Sequence, residues 1–129
     1  MKHHLNPQAL RLLSTSAPPT GFVYALDTAA LGVYRAAEAL GLKVGAEVSV
    51  ISYDGIPEGA FANPPLSTYS VDNRTAGERL AQLLITRIRG ADPHSLRQTE
   101  TATFHDRGSA QPPTTCAAGL AERIAQHIQ

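Results

Sequence analysis

The sequence predicts an α/β fold, a three-layer parallel sheet with flanking helices. Two apolar runs, residues 21–26 (GFVYAL) and 47–53 (EVSVISY), lack the strict polar alternation of a strand with one wet face. Between them lies a segment with apolar residues at Ala30, Leu31, Tyr34, Ala37 and Leu40, the stripe of an amphipathic helix. The strand–helix order then repeats, which is the signature of parallel α/β architecture.

The elements follow in order. Leu10, Leu12 and Leu13 mark the end of a first helix, and Pro18-Pro19 stops it. Residues 21–26 read as a strand buried on both faces. Asp27 or Thr28 is placed to cap the next helix, and Gly41 to end it. Residues 47–53 form the second strand, rich in β-branched residues. A Gly/Pro-rich loop spans 54–65, and a third strand spans 66–71. Asp72 or Asn73 can cap a long helix whose core stripe is Ala76, Leu80, Leu83, Leu84 and Ile88, ending at Gly90. Residues 99–104 (TETATF) read as a final edge strand. Tyr24 and Tyr53 read as strand residues packed under helices, and Arg107 as a surface ion-pair partner. Leu120, Ile124 and Ile128 give a narrow stripe on a last helix of about three turns, too short to be stable alone. The chain therefore divides into an N-terminal helix end and linker (1–17), a lobe (18–109), and a linker with a short C-terminal helix (110–129).

Composition narrows the function. Eleven basic residues balance eleven acidic ones, and they are scattered, so no basic stripe marks nucleic-acid binding. The lone Cys116 precludes an internal disulfide and fits a reducing cytoplasm. The N-terminus lacks a signal-peptide pattern, and no apolar run is long enough to span a membrane. The five histidines, including His3 and His4, share no metal-ligand spacing. Neither GADPHS nor DGIPEG is a phosphate loop, and no G-x-S-x-G elbow occurs. No cofactor, metal or enzymatic activity is expected.

The segment PTGFVYALDTAALGVYRAAEALGLKVGAEVSVISYDGIP, followed by PPLSTYSVD and FHDRGS, resembles the LacI/GalR family of transcriptional regulators over roughly residues 18–109. The resemblance implies one lobe, the C-terminal one, of a type I periplasmic-binding-protein-like sensor domain. Two such lobes close on a small effector, commonly a sugar or nucleobase. It also implies that DNA is bound only through an N-terminal head, which these 129 residues do not include, and that the protein is a cytoplasmic homodimer. A fragment of a periplasmic sugar-binding transport protein is the alternative.

Asp54 is the foremost candidate for ligand contact. It ends a strand and starts a Gly-containing loop, and open α/β sheets bind ligands at strand carboxyl ends. A carboxylate there accepts hydrogen bonds from two hydroxyls. The alternative is a turn Asp capping its own loop. Asp27 and Leu26 are the second place: the family shows Asn-Asp, so Leu26 lacks an expected amide, and Asp27 fits ligand contact or helix capping. Val71 and Asn73 stand where one family member has a ligand-touching Gln and Phe, so that member's galactoside specificity is not carried over. For the dimer, the resemblance points to Leu31 and Tyr34 on the helix and Phe61 and Ala62 in the loop. Phe61, a lone aromatic among Gly, Ala and Asn, is either an interface anchor or folds back on its own lobe.

Overall fold

The structure, a computed structural model, describes residues 4–128; His3 lies outside them. Helix α1 (Pro7–Leu13) starts at Asn6, whose side chain accepts from the Gln8 and Ala9 amides, with Pro7 at the first helical position. Strand β1 (Gly21–Val23) leads into α2 (Asp27–Ala39), and β2 (Ser49–Asp54) follows. A 3-10 turn (Pro57–Phe61) precedes β3 (Ser67–Ser70) and α3 (Asn73–Ile88). A second 3-10 turn (Pro93–Leu96), β4 (Thr103–His105) and α4 (Ala117–Ile128) complete the chain.

The sheet order is β1-β2-β3-β4, and the first two pairings are parallel, as the alternating pattern requires. β4 takes the edge but runs antiparallel, with Ser70 opposite Thr103 and Thr68 opposite His105. The chain therefore leaves the sheet at Ser70 and re-enters beside the same point, with α3 and the second turn in the excursion. Helix α2 ends as Gly41 (φ +68°) turns left-handed; the Gly41 and Leu42 amides then bond back to Glu38 and Ala37.

Helix α2 buries Ala30, Leu31, Val33, Ala36 and Ala37, and it packs on β2. The sheet face it shares carries Phe22, Val48, Val50, Ser52 and Thr68, all buried. The alternate positions Val23, Tyr53, Tyr69 and Phe104 are exposed, with Tyr69 and Phe104 paired across strands. This corrects the sequence reading of residues 21–26 as buried on both faces and of Tyr53 as covered by a helix. Tyr24 is half-buried against the core.

Two further differences matter more. None of the sixteen residues of α3 is buried, and Leu80, Leu84, Ile85 and Ile88 are exposed, so the expected core stripe has no core to meet. The last helix shows the opposite. Leu120 (0% exposed) and Ile124 (5%) sit in the main core, while Ile128 stays in solvent. The buried Glu47 carboxylate takes the Lys43 amide at 2.9 Å and faces the Arg123 guanidinium of α4. Docking of this kind makes a twelve-residue helix stable where its own propensity would not.

Candidate functional site

The carboxyl ends of the parallel strands β2 and β3 pair at Asp54 and Ser70, β1 ends at Val23 just before Leu26, and the geometry there is organised by Asp27. Its carboxylate is fully buried. One oxygen accepts from the Ser52 and Thr68 hydroxyls, the latter at 2.7 Å. The other accepts from the Gly55 and Ile56 amides, both at 2.9 Å. Asp27 is thus not the helix N-cap; that position is Leu26, whose side chain makes no capping bond. The carboxylate instead ties α2, β2, β3 and the loop after β2 into one unit. A buried charge is tolerated only with such full hydrogen bonding.

Asp54 gains its freedom from this arrangement. The loop amides that a turn Asp would cap belong to Asp27, so among the described residues the Asp54 side chain makes no hydrogen bond. Its backbone adopts φ +144°, a region that L residues rarely occupy and that costs on the order of 1–3 kcal/mol. Gly55 follows at φ +80°, and any side chain there would collide with Ser70. The half-exposed carboxylate is held at the sheet edge by a rigid turn.

The remaining predicted residues fall around it. Leu26 is exposed at the start of α2. Val71 is half-buried one residue past Ser70, which is the register partner of Asp54. Asn73 is exposed in the first turn of α3, and the cap of that helix is Asp72, bonded to the Arg74 and Thr75 amides and the Thr75 hydroxyl. Those hydrogen bonds, the Thr75 hydroxyl first, hold the Asp72 carboxyl below its ordinary range. Sequence reasoning missed Ser52, Thr68, Ser70 and His105. The signal was present: with Asp54 they fall at every second residue of adjacent strands, so they share one face. Arg107 makes no ion pair among the described residues; its guanidinium reaches the Leu66 carbonyl.

A second feature lies between α2 and the Pro57–Phe61 turn, a groove of about 820 Å³ lined by Tyr34, Phe61, Ala62 and Pro64 among others. Phe61 is 88% exposed and does not fold back. Leu31 is buried beneath the groove, and the Tyr34 hydroxyl donates to the Pro64 carbonyl at 2.9 Å. Burial pushes the Tyr34 pKa up to about 12. No described helix is long and apolar enough to cross a membrane, and no group of three or more described His, Cys, Asp or Glu is placed to hold a metal.

Comparison with known proteins places these features in a family context. Residues 1–110 match the family model of the periplasmic-binding-protein-like domain. The chain is 35% identical over 107 residues to a lactose operon repressor of Rhizobium radiobacter, covering 83% of this chain and 94% of that protein. A LacI family transcriptional regulator from Arthrobacter sp. FB24 in complex with lactose superposes with TM-score 0.70 at 30% identity, over 80% of this chain and 39% of that one. A dimeric lac repressor with an 11-residue C-terminal deletion superposes with TM-score 0.75 at 29% identity, over 84% and 40%. Other curated repressors are matched over only 21–26% of their length.

Proposed function

The chain belongs to the LacI family of transcriptional regulators, with a periplasmic-binding-protein-like fold, and from that premise we propose that it is part of a sensor domain that binds a small, sugar-like effector and self-associates. The observation that carries this is the free Asp54 carboxylate, held on a strained, Asp27-braced turn at the carboxyl edge of the sheet. Leu26, Val71 and Asn73 line the same edge. Asp27 positions the loop and, being buried, does not itself reach the effector.

Two open faces support the reading that further parts of the domain pack here. The stripe of Leu80, Leu84 and Ile88 on α3 and the sheet face of Val23, Tyr53, Tyr69 and Phe104 are apolar and uncovered. The solved relatives are about two and a half times as long as the matched segment. A companion lobe would complete both the core and the effector cleft, and operator recognition belongs to another segment. The relatives named above are repressors and regulators, which favours regulation over catalysis and over a transport role. In this reading residues 18–109 form the lobe, and α4 is fastened to it rather than held apart as an independent tail. Self-association runs through the groove, with Phe61 and Ala62 as contact residues and Leu31 and Tyr34 supporting them from α2.

The test is titration of the isotope-labelled chain with lactose, followed by NMR. With one side of the cleft present, affinity is millimolar or weaker, roughly above −4 kcal/mol. The Asp54 and Gly55 amides are expected to shift, and Asp54→Asn to abolish the response. Saturable binding that leaves those amides unmoved would remove the site from this edge.

A further inference from the structure

A second cavity, of about 420 Å³, opens where the chain leaves the sheet for α3 and returns. Its lining side chains include Ser70, Asp72, Arg79, Glu100, Thr103 and His105, with Val71 the one aliphatic residue among them. At its floor the Ser70 hydroxyl and His105 Nε2 lie 2.8 Å apart. The other ring nitrogen, Nδ1, makes no hydrogen bond among the described residues. Ser70 is the register partner of Asp54, and Gly55 packs against its Cβ, so cavity and turn share a wall. Val71 belongs to both the cavity and the proposed cleft.

The charges here restrict what the cavity can take. Arg79 is committed to Glu100 in an ion pair, and Asp72 is occupied capping α3. The groups left to meet a ligand are the Ser70–His105 pair and the Thr101 and Thr103 hydroxyls. These are hydroxyls and an imidazole beside the Asp72 and Glu100 carboxylates, with no uncommitted guanidinium or ammonium in the lining. A neutral hydroxyl group both donates and accepts and matches them, whereas a phosphate would meet carboxylates without a cation.

Resting on the effector reading above, we propose that this cavity is a specificity subsite of the same cleft. Ser70 and His105 there bind the hydroxyl groups of a neutral, unphosphorylated polyol and discriminate against sugar phosphates. Ser70 sets the hydrogen-bonding state of Nε2 and leaves Nδ1 to face the ligand.

The experiment uses the 129-residue chain with the histidine ring signals followed by NMR, and lactose and glucose 6-phosphate as probes. Lactose is expected to shift the His105 ring together with the Asp54 amide, and glucose 6-phosphate to leave both in place. Ser70→Ala is expected to weaken the lactose response about fivefold, the worth of one neutral hydrogen bond. His105→Gln, which keeps a polar group near Nε2, should retain more of the response than His105→Phe. A lactose shift at Asp54 without one at His105 overturns the subsite and leaves the effector reading intact. A stronger response to glucose 6-phosphate overturns the discrimination. Silence of both residues toward lactose overturns the subsite and the reading it rests on together.

Discussion

Replacing Asp27 by alanine removes the acceptor for four donors at once. The Ser52 and Thr68 hydroxyls lie 3.5 Å apart and can turn toward one another, so their loss is partly recovered. The part-buried Gly55 and Ile56 amides bond only to this carboxylate among the described residues, so they lose their sole acceptor. Each donor left unsatisfied costs about 1–3 kcal/mol, and hydrogen bonds to a charged acceptor lie at the upper end. The sum is about 3–6 kcal/mol, a large part of the roughly 5–15 kcal/mol that holds a domain together. Asp27→Asn behaves differently. Its carbonyl oxygen serves the two amides, while its NH₂ donates to the hydroxyl oxygens, for a cost of about 1–2 kcal/mol. Urea unfolding followed by circular dichroism separates the two. With a slope near 1.5 kcal/mol/M, the alanine variant loses about 2–4 M in midpoint and the asparagine variant about 1 M. Equal midpoints for the two variants, or an alanine cost under about 1 kcal/mol, would refute Asp27 as the brace of the Asp54 turn.

Other outcomes follow from the packing. Leu120→Ala, at a fully buried position on α4, is expected to lose about 2–5 kcal/mol in the same urea assay, and ending the chain at Ser109 to lose more. A truncated chain of unchanged stability would show that α4 is not docked. Tyr34→Phe removes the bond to the Pro64 carbonyl at about 1 kcal/mol. The Tyr34 pKa is raised from 10.0 to about 12, so the hydroxyl's contribution is complete below pH 10 and disappears as pH climbs to 12. The Phe variant should show a flatter alkaline limb in a pH series of unfolding midpoints. In sedimentation the wild type should form a concentration-dependent dimer that Phe61→Asp abolishes; a dimer that survives this change places the interface elsewhere.

The order of elements, the α/β class and the carboxyl-edge position of Asp54 were all legible in the chain. They depend on local pattern: apolar spacing distinguishes helix from strand, Gly41 ends α2, Asp72 caps α3, and a strand end followed by Gly makes a turn. The LacI-type text over residues 18–109 carried the family. What a residue meets across the fold is not local, and here the sequence reading departed from the structure. Asp27 looked equally suited to a cap or a ligand because its four donors come from positions 52, 55, 56 and 68. The α3 stripe is periodic, though less sharply than that of α2, but periodicity records only that a helix has an apolar face. It does not supply the surface that covers it, and none of α3 is buried within these residues. The short stripe of α4, weak by its own length, became core because Glu47 and the α2–β2 connection offered it a seat. Amphipathic pattern is a property of the chain, whereas burial depends on a second surface, which only the tertiary structure supplies.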